Sequence, residues 1–124
     1  MVQAEVNIAA EKTGRSEFVP TRLIYVPSSN SAEPRLVLRE SMASRSPHYA
    51  ALSYCWGSAL ESSTQLKLTI NTLTSMLARI PRIDLSPIIQ DAITVCGDLS
   101  IKYIWIDALC IIQDSKVDWE NESS

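Results

Sequence analysis

The 124-residue chain has a single histidine, no Cys-x-x-Cys pair and no block of like charge, and each shortage removes a class of chemistry. One histidine excludes a multi-imidazole metal site, and it excludes any Ser/His/Asp triad that does not use His48. His48 follows Pro47 in a polar stretch and reads as an ordinary surface residue. Cys55, Cys96 and Cys110 cannot all pair among themselves and lie far apart, so reduced thiols are expected. Eleven basic against 14 acidic residues give a net charge of -3 without a basic stripe, which disfavours a nucleic-acid partner. No apolar run approaches the roughly 20 residues that span a bilayer, and the first residues, Met1 to Asn7, lack the basic-then-apolar pattern of a secretory signal. A soluble, cytoplasmic protein with no membrane partner is expected.

What is present is an apolar content of 46%, enough for one domain with one core. Residues 1–20 are polar and without sustained periodicity, and read as a flexible arm closed by Pro20. Two short apolar runs, Thr21 to Val26 and Arg35 to Arg39, flank a turn-rich linker and predict a strand pair at a sheet edge. The stretch from Tyr49 to Trp56 is apolar on both alternations, as is Lys102 to Ile106, which predicts two strands covered on both faces. Between them lie a short strand from Leu66 to Ile70 and a helix capped by Asn71 and stopped by Pro81. A second helix runs from Pro87 to about Leu99, with Ser86 as its cap. Strand, helix, strand implies a parallel crossover.

In such a sheet, ligands bind beyond the carboxyl ends of the strands. The Trp56-Gly57 turn and Asp107 are then expected to leave the same edge, with Ser53 just before the first turn. Asp107 sits between a dry strand and that crevice; it either caps a turn or presents a carboxylate with a shifted pKa. Gln113 and Asp114 either begin the next helix, with Asp114 as its cap, or reach into the crevice. Cys55 and Cys110 lie in apolar surroundings and read as buried, inert thiols. Trp105 reads as core, and Trp56 as core or as a stacking wall. Trp119 and Glu122, three residues apart, would share one side of a last, acidic helix.

The segments Leu52-Ser53-Tyr54-Cys55-Trp56-Gly57, Asp91-Ala92-Ile93 and Trp105-Ile106-Asp107-Ala108-Leu109-Cys110-Ile111-Ile112-Gln113-Asp114 occur in this order, followed by Asp118-Trp119 and Glu122. Together they resemble the fungal heterokaryon incompatibility (HET) domain over Thr21 to Glu122. The chain departs from the family in having Leu85-Ser86-Pro87 where Leu-Pro is usual. Family members continue past the position of Glu122, so residues 21–124 are expected to be a HET domain truncated on its C-terminal side.

The resemblance implies an α/β fold with a mostly parallel sheet flanked by helices, a TIR-like (flavodoxin-like) three-layer arrangement, incomplete here. It implies a signalling role in non-self recognition and programmed cell death, with further copies of the chain or other incompatibility proteins as partners. Some TIR domains cleave NAD with a glutamate. On that analogy Glu122 and Asp107 are the candidate catalytic carboxylates, and Ser53, Trp56, Gly57, Gln113 and Asp114 the candidate binding residues. No cofactor or metal is required; NAD enters as a substrate. The alternatives are a non-catalytic self-association or docking module, or an inactive fragment.

Overall fold

The computed structural model describes residues 4–9, 20–28, 32–42, 49–54 and 66–122. Five strands, β1 (Ala4–Ala9), β2 (Arg22–Tyr25), β3 (Arg35–Leu38), β4 (Tyr49–Tyr54) and β5 (Tyr103–Ile106), form one sheet in the order β1-β4-β5-β2-β3. Four helices accompany it: α1 (Leu73–Ala78), α2 (Pro87–Asp98), α3 (Asp107–Cys110) and α4 (Lys116–Glu122).

β4 and β5 are parallel neighbours, with Ala50 opposite Ile104, Ala51 opposite Trp105 and Leu52 opposite Ile106. The crossover expected between the two apolar runs is therefore present. A mostly parallel sheet is not: β1 with β4, β5 with β2 and β2 with β3 all pair antiparallel. The doubly apolar signal belonged to β4 and β5 alone, and the strands flanking that pair are antiparallel to it. β2 and β3 form the predicted edge pair. Ala4–Ala9, inside the stretch read as a flexible arm, instead forms β1 along the whole of β4. The strand carries a period-two alternation, Ala4, Val6 and Ile8 against Glu5 and Asn7, too short within a polar stretch to stand out from it. Residues 10–19 of that stretch lie outside the described residues.

One face of the sheet carries the core. Leu36, Ile24, Ile104 and Ala50 make a row across four strands, and all are buried. Against this face pack Met76 of α1, Ile89, Ala92, Ile93 and Cys96 of α2, and Ala108, Leu109 and Cys110 of α3. On the other face Arg35 lies 4.7 Å over the Tyr25 ring, which meets Tyr103 edge to face at 6.1 Å. Burial alternates along β5: Ile104 and Ile106 are buried, Tyr103 and Trp105 half-buried. β5 is therefore not sealed on both faces as expected.

Local chemistry sets the helix ends. Ser86 accepts the Ile89 N–H at 3.4 Å with Pro87 in the first turn, as predicted. The N-terminal boundary of α1 falls at Thr72 rather than Asn71 and has no side-chain cap; the Thr72 hydroxyl instead accepts the N–H of Thr69, upstream of the helix, at 2.8 Å. Leu66 to Ile70 is not a strand. It is held by two backbone bonds, Leu68 N–H to Ala108 O and Gln113 N–H to Leu68 O, both 2.8 Å. α2 ends in a Schellman turn, with Ile101 N–H bonded to Cys96 O and Ser100 N–H to Gly97 O. This places Ser100 at φ 62°, a left-handed position that glycine adopts without a Cβ penalty. Ser100→Gly is expected to stabilise the fold by about 0.5–1 kcal/mol in urea unfolding, the gain from removing Cβ strain exceeding the added unfolded-state entropy.

Candidate functional site

β5 passes into α3 without a loop. Ile106 is the last strand residue, and Asp107 opens the helix. Because β4 runs parallel to β5, its carboxyl end reaches the same edge, and one register step beyond the Leu52–Ile106 pair sets the Ser53 position level with Asp107. β2 is antiparallel to β5, so its amino end, Thr21-Arg22, arrives at this edge as well.

The Asp107 carboxyl group is half-buried, and loss of water pushes its pKa up from 3.8, partly offset by a hydrogen bond from the Ala108 N–H. Its backbone oxygen accepts from Ile111 N–H at 3.2 Å and from the Gln113 side-chain amide at 2.8 Å. That amide also donates to Ile111 O at 2.8 Å, so Gln113 closes the α3 turn on itself. Asp114 accepts the Ile70 N–H at 3.0 Å and ties the segment before α1 to this loop. It does not cap α4: Ser115, one residue on, accepts the Asp118 N–H at 3.2 Å.

Sequence reasoning missed a polar knot beside these residues. Arg22, buried within β2, donates from Nε to Cys110 O at 3.0 Å and forms an ion pair with Asp118. The same Asp118 oxygen accepts the Ile112 N–H at 2.7 Å. Glu122, also buried, accepts from both Thr21 donors, the N–H at 3.0 Å and the hydroxyl at 2.7 Å. Glu122 and Trp119 are not presented together, since the carboxylate is 6% exposed and the ring 37%. The partners of Thr21 and Arg22 in this knot stand 88 to 101 residues away along the chain, and an isolated arginine in an apolar strand was the one available signal.

Cys110 is fully buried. Desolvation pushes its thiol up to about 12, despite the Ile106 N–H that bonds its sulfur at 3.5 Å and the nearby Arg22 charge, so it stays protonated and inert as expected. Cys55, His48, Trp56 and Gly57 lie outside the described residues, and Ser53 is placed by its backbone alone, paired with Glu5. The structure thus brings Asp107, Gln113, Asp114, Glu122 and the Ser53 backbone to one side of the sheet. Among the described residues no three His, Cys, Asp or Glu side chains cluster to hold a metal ion. A groove of about 400 Å³ beside α1, lined by Leu66, Met76, Arg79 and Asp84 among others, involves none of these residues.

Compared with known proteins, residues 49–124 match the family model described as "Heterokaryon incompatibility protein (HET)". No curated protein and no solved structure gives a significant match.

Two stability tests follow from this geometry. Asp118→Ala leaves the buried Arg22 charge and the Ile112 N–H without their acceptor and is expected to cost about 2–4 kcal/mol in urea unfolding. The double replacement Arg22→Met, Asp118→Leu should recover much of that loss. Asp107→Asn has the opposite sign. A pKa raised by folding means that ionisation opposes the fold, so the penalty is absent below the unfolded value near 3.8 and sets in as pH rises through the folded one. The variant should therefore melt above the wild type at pH 7, with the difference vanishing near pH 3; an equal or lower melting temperature at pH 7 contradicts the assignment.

Proposed function

Since this chain belongs to the heterokaryon incompatibility (HET) family, whose model covers more than half of its length, we propose that it is a signalling module of fungal non-self recognition and programmed cell death. Its site is the carboxyl edge of the parallel β4–β5 pair. The observation that carries this reading is Asp107, a half-buried carboxyl group at the end of β5 with one hydrogen bond of its own among the described residues, beside Gln113 and Asp114, whose side chains are bonded within the fold.

The chemistry such a carboxylate can serve is NAD cleavage of the TIR type. The bond between ribose C1′ and the nicotinamide nitrogen breaks, its electron pair leaves with nicotinamide, and the carboxylate stabilises the oxocarbenium-like ribosyl cation. Water then adds to C1′ and releases a proton, giving ADP-ribose. This role requires Asp107 ionised, so its raised pKa moves the acid limb of activity above the ordinary aspartate range. Glu122 has both oxygens committed to Thr21 and supports the site by holding α4 against β2.

That commitment of Glu122 also favours a second reading, a non-catalytic module acting by self-association or by docking to another incompatibility protein. Nicotinamide release from NAD, followed by chromatography under assembly-promoting conditions, separates the two. Cleavage should fall at least 100-fold in Asp107→Asn with no loss of melting temperature, whereas Glu122→Gln should lower the melting temperature first. Full cell killing by Asp107→Ala in a fungal expression assay would instead establish the non-catalytic reading.

A further inference from the structure

Helix α2 is apolar on more of its circumference than the core uses. Ile89, Ala92, Ile93 and Cys96 are buried against the sheet, whereas Val95 and the C-capping Leu99 stand 45% and 58% exposed and Ile88 is half-buried. At helical spacing Ile88, Val95 and Leu99 fall within about 40° of one another, so they form one stripe along roughly three turns, beside the buried row and not in it. Isolated exposed apolar residues are ordinary, whereas contiguous ones mark interaction surfaces. The opposite flank of α2 is closed: Gly97 lies so near the end of β2 that a Cβ there would stand 3.6 Å from the Pro27 oxygen and 3.8 Å from Val26 Cγ1. Along the solvent side of the stripe run Asp91 and Asp98, both exposed and without a hydrogen bond or ion pair among the described residues. The helix carries no lysine or arginine.

We infer that this flank of α2 docks an amphipathic helix of a partner protein, apolar where it meets Ile88, Val95 and Leu99 and cationic where it meets Asp91 and Asp98. The shape fits one helix, because a straight apolar row of this length is a ridge on which a partner's i, i+4 side chains interdigitate. Charge decides what kind of helix it is. A second copy of α2 laid antiparallel on the first brings both pairs of aspartates to the same edge of the contact, and no base on either helix offsets the repulsion. Laid parallel, it sets each pair of aspartates against the apolar side of its neighbour. Lysines or arginines beside the apolar face of a different helix give the two carboxylates the partners they lack and steer the encounter. None of Asp107, Gln113 and Asp114 belongs to this flank, so the contact holds whether or not Asp107 acts on NAD.

The test uses the full chain with methyl-labelled isoleucine, leucine and valine. The probe is a synthetic helical peptide of about 14 residues, long enough to span the stripe, with leucine on one face and lysine on the other. The control peptide has glutamate in place of lysine. The lysine peptide is expected to bind saturably, to shift the methyl signals of Ile88, Val95 and Leu99, and to weaken as salt rises; the glutamate peptide is expected to bind at least tenfold more weakly. Val95→Ser with Leu99→Ser should weaken the lysine peptide at least tenfold, and Asp91→Asn with Asp98→Asn three- to tenfold. All four side chains are exposed, so both variants keep the circular dichroism of the wild type. Glu120→Gln, which removes an exposed carboxylate of α4 instead, should leave binding unchanged. Equal binding of the two peptides, methyl shifts confined to other parts of the molecule, or no binding at millimolar peptide overturns the inference. Sedimentation as a dimer that Val95→Ser with Leu99→Ser dissociates also overturns it and assigns the flank to self-association.

Discussion

The parallel pairing of β4 with β5 is the constraint on which the rest of the structure depends. Three residue pairs make it, Ala50–Ile104, Ala51–Trp105 and Leu52–Ile106, in a sheet whose other pairings are antiparallel. Parallel neighbours cannot be joined by a tight turn, so the chain between them must cross over a face, and α2 lies in that connection. Its apolar side, Ile89, Ala92, Ile93 and Cys96, buries the row of Ile24, Ile104 and Ala50. The same pairing sends the carboxyl ends of β4 and β5 to one edge. Core and candidate site are thus two consequences of one register.

The antiparallel β2 completes that edge from the other side. Its first residues meet α4 through the Thr21–Glu122 and Arg22–Asp118 contacts, and Arg22 and Asp118 also bond the backbone at Cys110 and Ile112. Buried ion pairs are seldom a net source of stability, because desolving two charges offsets most of their attraction. What this knot supplies is position. Apolar contacts alone would let the short α4 slide along the sheet, whereas an arginine with two acceptors and a glutamate with two donors fix its place.

How much of this was legible in the sequence depended on the range of the interaction. Ser86-Pro87 is local chemistry, and it marked the start of α2 correctly. The apolar runs marked β4 and β5 as strands, although burial along β5 alternates instead of covering both faces. β1 carries a shorter signal, the alternation of Ala4, Val6 and Ile8 with Glu5 and Asn7, which is outweighed by the polar residues that follow it. At Asp114 and Ser115 the cap lies one residue further than expected, since either side chain can serve and the tertiary bond from Ile70 N–H to Asp114 decides between them. Arg22 and Asp118, 96 residues apart, were invisible as a pair. The family motifs marked the candidate residues without separating them by role.

Hydrogen-bond satisfaction makes that separation. Gln113 donates to two carbonyls, Asp114 accepts from Ile70, Asp118 from Ile112 and Arg22, and Glu122 from both donors of Thr21. Each is polar, close to the edge and part of the matched region, yet each is consumed in building it. Two groups differ. Among the described residues, Asp107 holds a half-buried carboxyl group with one backbone donor and a raised pKa, and Trp105 holds a buried N–H with no acceptor. Each costs the native state stability, because a buried polar group without a full set of partners loses its water without replacement. Their neighbours Gln113, Asp114 and Glu122, by contrast, are bonded within the fold.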